Sequence, residues 1–222
     1  MNPLDILIKQ QVVPVAKAVG FTKKGRVFRL AAANGDHLLM HFDTHKVDPK
    51  KYVFDVTFWI VPLPHWEFLR RQEVVPSEPH AGGALATYPV VPPAVVAHEP
   101  EDEMPFRSRW AFSEPKTRDI CGRELARVLA EEAFPRVIRL LDRRTFLEET
   151  RVNPNGELVR LGGATQSEIM LRIDDDPIAE LTALLDRAEE DGLSASVVMW
   201  ARQRLRRRAI QEGGTECVIP GR

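Results

Sequence analysis

Three residues of this sequence carry metal-ligand chemistry and alternate along one short segment. His41, Asp43 and His45 are each separated by one residue, and alternate residues of an extended strand point to the same face of a sheet. Two imidazoles and a carboxylate suit a zinc-class ion, so a metal-dependent hydrolase is one hypothesis. The outer two ligands would lie about 13 Å apart along a regular strand, at ~3.3 Å per residue. We therefore favour the alternative, a solvent-facing polar side of the strand.

A second candidate site is cationic. Seven basic residues flank a predicted hairpin, whose turn brings the start of its first strand near the end of its second strand. They are Lys23, Lys24, Arg26, Arg29, Lys46, Lys50 and Lys51. Such a patch would attract phosphate, nucleic acid or an acidic partner. Solvated surface charge is the alternative, and the neighbouring aromatic residues fall where a core is expected, so base stacking is not specifically indicated.

The third candidate is an arginine-rich segment near the C-terminus, which includes Arg202, Arg206 and Arg207. This segment lies in the second of two predicted helices that are joined at a glycine. The spacing of the two helices resembles a helix-turn-helix. The start of the second helix, 194–196, carries no cation, although recognition helices normally contact bases with their first residues. We therefore favour an ordinary helical hairpin, or an acid–base clamp between 174–191 and 202–208 within one chain or between two chains.

Catalytic and cofactor motifs are absent from the sequence. It contains no GxSxG, P-loop, HExxH, CxxC or strand-linked GxGxxG pattern, so we predict no cofactor and no catalytic residue. Cys121 lies near two arginines, which would lower the pKa of its thiol, but buried packing is the commoner fate of such a cysteine. The pattern favours a binding protein over an enzyme.

The elements that must position these residues begin with a helix, whose apolar residues recur every three or four positions up to Gly20. Alternating segments then flank Asn34-Gly35 and predict a hairpin. Tyr52–Val61 predicts a third strand that ends before Pro62. Residues 72–105 contain seven prolines and predict a long loop.

Further elements follow this loop. Residues 107–113 predict a fourth strand, and 117–142 predict a helix that Pro135 interrupts. A capping-box pattern at 145–148 predicts the start of another helix. In the last third, two short apolar runs at 157–161 and 168–173 predict a small hairpin. Helices then begin after Asp176-Pro177 and at Ser194.

Four segments of the first 150 residues form a recognisable set. They are GFTKKGRVFR at 20–29, HFDTHK at 41–46, FDVTFWI at 54–60 and a closing helix at 125–142. Residues 1–150 therefore resemble a bacterial domain-of-unknown-function family, number 4304. The resemblance implies an α+β domain of a cytoplasmic bacterial protein. The family description carries no activity, so it implies no catalytic residue.

This chain departs from the family pattern at the strand ends. Asp43 and His45 stand where the family usually has glutamine and serine, and Thr57 and Trp59 stand where it has asparagine and glycine. If the family uses the first pair in a binding tetrad, the chemistry of that tetrad differs in this protein.

Composition limits the remaining possibilities. The 222 residues include 31 Lys+Arg and 32 Asp+Glu, and the net charge of −1 excludes a globally basic nucleic-acid coat. No apolar run approaches the roughly 18 residues of a membrane span, so we predict no membrane contact. The two cysteines form no disulfide pattern, and the N-terminus has no signal-peptide pattern, so we predict a cytoplasmic protein.

Together these patterns predict an α+β fold. A three- to four-stranded antiparallel sheet packs against helices in residues 1–150, and residues 151–222 form a small module with a β-hairpin and a helical hairpin. We predict a non-catalytic accessory or immunity-type protein that binds a protein partner. Nucleic-acid binding through 23–51 or through the helix at 194–209 is the alternative, and the C-terminal helices offer a surface for a homo-oligomer.

Overall fold

A computed structural model describes residues 2–47, 49–72, 78–98, 108–152 and 158–213. Antiparallel strands and helices alternate along the chain and pack on each other, which confirms the predicted α+β class. The acidic run at 99–103, Asn155-Gly156 and Cys217 lie outside these residues. Within the described ranges, no helix combines the length and the apolar character needed to cross a membrane.

The central sheet has more strands than the sequence predicts. The strands are β1 (Thr22–Lys24), β2 (Val27–Ala31), β3 (His37–His45), β4 (Tyr52–Val61), β5 (Ala86–Pro89), β6 (Ala97–His98), β7 (Arg109–Phe112) and β8 (Val159–Arg160). Their order is β1-β2-β3-β4-β5-β8, and β7 pairs with the first half of β4 and with β6. All of these pairings are antiparallel. Because β4 is long, it holds β7 beside one half and β5 beside the other half.

The prediction for β4 and for the hairpin before it is confirmed. The β2–β3 turn brings Ala31 opposite His37, and Gly35 adopts a φ of 82°, a conformation that glycine reaches without steric cost. Phe54, Val56 and Phe58 point to the buried inner face of the sheet. Period-two alternation therefore separates an apolar inner face from a mixed outer face.

Helices cover the inner face of the sheet. The helix α1 comprises Pro3–Leu7, a π-helical turn at Ile8–Val12 and Val13–Ala18. The helix α3 comprises Pro115–Val128, a π-helical turn at Leu129–Ala133, Phe134–Ile138 and a 3-10 turn at Arg139–Leu141. Each π-helical turn comes shortly before a proline, Pro14 or Pro135. A proline ring clashes with the carbonyl four residues earlier, and the wider turn relieves that clash without ending the helix.

The helices α1 and α3 cross at a glycine. A Cβ atom on Gly122 would lie 2.7 Å from Cγ of Gln11 and 3.2 Å from Cγ of Leu7. This close approach is why position 122 lacks a side chain. The crossing buries Leu7 and Cys121 in the same hydrophobic cluster as the inner face of the sheet.

Two predictions in the middle of the chain were wrong in detail. Residues 78–98, expected to be loop, contain β5 and β6 together with 3-10 turns at Ala81–Gly83 and Ala94–Val96. Pro89 is the last residue of β5, where a missing amide interrupts no further pairing. The helix α4 (Arg143–Arg151) begins before the predicted capping box, because the side chain of Asp142 accepts a hydrogen bond from the amide of Thr145.

The predicted C-terminal β-hairpin was also wrong. Residues 168–173, expected to be a strand, lie mostly in the helix α5 (Ala164–Arg172), and β8 pairs with β5 instead. Glu168 and Arg172 form an ion pair across one helical turn, which a strand would not allow. The helices α6 (Ile178–Glu190) and α7 (Ala195–Gln211) confirm the predicted helical hairpin, and Gly192 in their turn has a φ of 85°.

A smaller hydrophobic cluster lies on the outer face of the sheet. The helix α2 (Leu63–Gln72) and residues 81–85 cover Leu39 and Val61 there, with Trp66 between them. Apolar residues of α5, α6 and α7 belong to the large cluster that also contains the sheet. The division of the chain at residue 150 stays a prediction.

Candidate functional site

The three residues with metal-ligand chemistry lie on the outer face of β3, as predicted, but they do not converge. His45 bonds through Nε2 to Asp55, at 2.7 Å from Oδ2. The ring of His41 lies instead beside Trp59, with ring centroids 6.1 Å apart, and Asp43 is exposed. No three histidine, cysteine or acidic side chains of the described residues are grouped so that they could hold a metal ion.

The structure separates the predicted cationic patch into two parts. In the first part, Arg26 donates a hydrogen bond to Asp5 at 2.8 Å, and this bond holds the pKa of the Asp5 carboxyl below its usual value. Arg29 donates to Glu78 at 2.6 Å and to the carbonyl oxygen of Pro79 at 2.8 Å. Lys23 lies over the ring of Phe28, 5.8 Å from its centroid. Carboxylates therefore balance both arginines of this part.

The second part of the patch forms a concave site, which we call the lysine cavity. Lys46, Lys50 and Lys51 line a space of about 490 Å³ at the end of the β3–β4 hairpin. Thr44, His45 and Tyr52 add polar groups to its wall, and buried Leu4, Val53 and Phe54 also line it. None of the described residues that line this cavity is a carboxylate.

Two contacts fix the polar wall of the lysine cavity. The ring of Tyr52 stacks on Phe112 with centroids 5.0 Å apart and planes at 16°. A carboxylate only accepts hydrogen bonds near neutral pH, so Asp55 requires that Nε2 of His45 be the donor. The imidazole is therefore oriented, and its other nitrogen is left as the acceptor in the neutral form.

The arginines of α7 lie apart from both parts of the patch. Arg202 donates to Asp186 and Glu189 at 2.8 and 2.7 Å, and Arg204 donates to Asp174 at 2.5 Å. These contacts confirm an acid–base clamp within the chain. Arg206 and Arg207 are exposed, and no ion pair of theirs occurs among the described residues.

A further cavity, which we call the sheet-face cavity, opens on the outer side of β2 and β3. Lys24, Arg29, His41 and His80 line it with apolar Val27 and Leu39, and its volume is about 340 Å³. The sequence pattern did not indicate this site, because His80 comes from the region expected to be loop. Only the strand register brings Arg29 and His41 to the same face.

Buried polar atoms without partners gather on this same sheet face. They are Nε of Arg29, Nδ1 of His37, Nε2 of His41 and Nε1 of Trp59, and none has a hydrogen-bond partner among the described residues. An unsatisfied buried polar atom costs about 1–3 kcal/mol. Burial lowers the pKa of His41 below its usual value of 6.5; the charge of Asp43 opposes this change and that of Arg29 adds to it, and the net lowering keeps the imidazole mainly neutral at pH 7.

The cysteine that could have been a nucleophile is buried instead. Cys121 has no exposed surface, and burial raises the pKa of its thiol to about 12. The effect of burial exceeds any effect of Arg118 and Arg123, which the sequence places nearby. Cys121 is therefore a packing residue of the helix crossing.

Comparison of the chain with protein-family models, with curated proteins and with solved structures finds no match. The similarity to family 4304 stays a prediction.

Proposed function

We propose that this protein is a non-catalytic binding protein that holds an acidic segment of a protein partner in the lysine cavity. An accessory or immunity-type role in a bacterium fits this activity. The observation that carries the proposal is the lining of the cavity, where three lysines meet and no described lining residue is a carboxylate. Side chains of glutamate and aspartate are the protein groups that such a site attracts.

The distribution of charge supports this cavity over the other cationic residues. Arg26, Arg29 and Arg202 each donate to a carboxylate of the same chain. An external anion would have to compete with that carboxylate at each of them. The lysine cavity groups three cations around one concave space, and this grouping concentrates positive field on an incoming acidic segment.

A protein partner is favoured over nucleic acid for two reasons. Among the aromatic residues near the patch, Phe28 and Phe42 are buried, and the exposed ring of Tyr52 already stacks on Phe112. The predicted recognition helix α7 begins with Ala195 and Ser196, which carry no charge toward phosphates.

The test uses a fluorescein-labelled oligoglutamate peptide and fluorescence anisotropy. We expect binding that weakens when salt is raised from about 50 to about 300 mM, because salt screens exposed charges. The triple variant Lys46→Glu, Lys50→Glu, Lys51→Glu should weaken binding at least about tenfold, or ~1.4 kcal/mol. The matched control Lys9→Glu, Arg206→Glu, Arg207→Glu changes three exposed cations elsewhere and should weaken it less than about twofold.

Three outcomes would contradict the proposal. An equal loss in the control would mean that net charge alone attracts the peptide. No measurable binding at low salt would remove the anion site altogether. A labelled single-stranded RNA or duplex DNA that binds more tightly than the peptide, and loses affinity in the cavity variant, would make nucleic acid the partner.

A further inference from the structure

The sheet-face cavity carries an inference that does not depend on the lysine cavity. Arg29, Leu39 and Trp59 lie in one row across β2, β3 and β4. His37 and His41 flank Leu39 on β3, two residues away on either side. Side chains that are opposite or diagonal across a sheet lie within about 8 Å of each other. The four unpartnered polar atoms therefore form one group around Leu39.

The cavity beside this group combines cationic and apolar walls. Lys24 and Arg29 supply the charge, Val27 and Leu39 supply apolar surface, and His41 supplies a neutral imidazole. A volume of about 340 Å³ lies at the low end of the range for small-molecule sites. Walls of this kind suit a small anion with an apolar body.

A carboxylate of the chain itself already uses this site. Glu78 accepts a hydrogen bond from one terminal nitrogen of Arg29 at 2.6 Å, while the carbonyl oxygen of Pro79 accepts from the other at 2.8 Å. His80, the next residue, forms part of the cavity wall. The Glu78 side chain is 55% exposed, so it reaches the guanidinium from the solvent side. Nε of Arg29 remains without a partner among the described residues.

We propose that the sheet-face cavity binds a small carboxylate ligand, whose carboxylate takes the place of Glu78 on Arg29. The guanidinium presents donors in a planar fork that matches two carboxylate oxygens. Withdrawal of Glu78 loosens the contact that holds residues 78–80 against Arg29. The ligand then lies beside Nε2 of His41, and its apolar body packs on Val27 and Leu39.

The experiment titrates isotope-labelled protein with benzoate and follows the indole N–H signal of Trp59 by NMR. Benzoate combines a carboxylate with a flat apolar ring, and benzamide is its neutral counterpart. Ligand concentrations up to about 20 mM detect a millimolar Kd. In this range benzoate should shift the Trp59 signal. Benzamide should bind at least tenfold more weakly than benzoate. The variant Glu78→Gln should bind benzoate about three- to tenfold more tightly, because a competing carboxylate is removed.

Two further variants locate the site. Arg29→Gln should abolish the benzoate shift, whereas the matched control Arg26→Gln, on the same hairpin, should keep it. If Arg29→Gln does not fold, Glu78→Gln still decides, because it alters an exposed side chain and leaves Arg29 in place. The proposal is wrong if Glu78→Gln shows no Trp59 shift with benzoate, if it binds benzoate no more tightly than the unaltered protein, or if benzamide binds equally well. It is also wrong if Arg26→Gln loses as much affinity as Arg29→Gln.

Discussion

Two clusters of cationic side chains in this protein differ in their burial and in the groups that surround them. Arg143 in α4 is 5% exposed and donates to both carboxylate oxygens of Asp36, at 2.7 and 2.8 Å, and to Asp174 at 2.9 Å. In the lysine cavity, Lys46, Lys50 and Lys51 are exposed and line a space of about 490 Å³. The first cluster is buried among carboxylates of the chain, whereas the second cluster is exposed to solvent.

The Arg143 cluster joins distant parts of the chain. Asp36, in the β2–β3 turn, also accepts a hydrogen bond from the amide of Leu63 at the start of α2. Asp174, after α5, accepts from Arg204 of α7, which also bonds to Glu67. Burial alone would lower the pKa of Arg143, but the hydrogen bonds and charges of Asp36 and Asp174 raise it well above its usual value.

The comparison teaches how to separate a structural charge from a binding charge. Removing a cation from water is costly, and the cost is met only when the charge finds well-placed partners. Arg143 has such partners within its own chain, so it has no capacity left for a ligand. Exposed lysines keep most of their hydration, contribute little to stability and remain able to attract an anion.

The largest expected effect comes from a variant that breaks the Arg143 cluster. Arg143→Met should lower the free energy of unfolding by about 3–5 kcal/mol, because it leaves the buried carboxylate of Asp36 without its counter-charge. Urea denaturation measures this change. The control Lys50→Met, in the lysine cavity, should change stability by less than about 0.5 kcal/mol. Similar losses in both variants would erase the distinction between the clusters.

An intermediate effect concerns pH. Burial opposes ionisation of Asp174, but Arg204 and Arg143 hold its pKa below the ordinary value of 3.8. A lowered pKa in the folded protein means that the stabilisation is fully present above pH 3.8 and is lost as the pH falls through the folded value. Asp174→Asn should therefore cost roughly 1–3 kcal/mol at pH 7.

The difference in stability between the unaltered protein and Asp174→Asn should shrink when unfolding is measured at decreasing pH below 3.8. A control, Asp43→Asn, alters an exposed carboxylate of β3. Its stability difference at pH 7 should stay below about 0.5 kcal/mol, as for most exposed substitutions. A difference for Asp174→Asn that stays constant down to pH 2 would mean that this carboxylate is not held ionised by the arginines.

The smallest expected effect concerns salt. The triple variant Lys46→Met, Lys50→Met, Lys51→Met should raise stability by a few tenths of a kcal/mol at low salt, because it removes like charges from one cavity. This gain should vanish at about 1 M salt, where screening extends over only ~3 Å. Thermal unfolding at both salt concentrations measures it. A loss above about 1 kcal/mol would instead make the lysines structural.

Local patterns predicted much of the fold from the sequence. The bounds of β4 follow from alternation that ends at Pro62, and the end of α1 follows from Gly20, whose φ is 94°. The helical hairpin of α6 and α7 is confirmed for the same reason, since its apolar stripe and its turn glycine lie close together in the chain. Alternation failed at 168–173, because six apolar-rich residues fit a strand or a helix equally well.

The sites depend on contacts that no local pattern records. Asp36 directly follows the predicted turn at Asn34-Gly35, but its partner Arg143 lies 107 positions later in the chain, and no local pattern joins the two. The sequence predicted the lysines at 46–51 as part of one cationic patch. It did not show that Asp5 and Glu78 pair with Arg26 and Arg29, which sets these arginines apart from the lysines. His80 lies in the wall of the sheet-face cavity beside Glu78 and Pro79, which bond to Arg29 of β2. Neither proline content nor charge indicated this contact.

The helix crossing around Gly122 provides a reporter of unfolding. Only the thiolate of a cysteine reacts with alkylating reagents, and Cys121 is closed to solvent with a pKa of about 12. In a Cys217→Ser background, alkylation of Cys121 by iodoacetamide should therefore proceed only through molecules in which α1 and α3 have separated. The rate of alkylation therefore reports, without denaturant, how often this crossing opens in each variant. The same measurement applies to variants of Arg143.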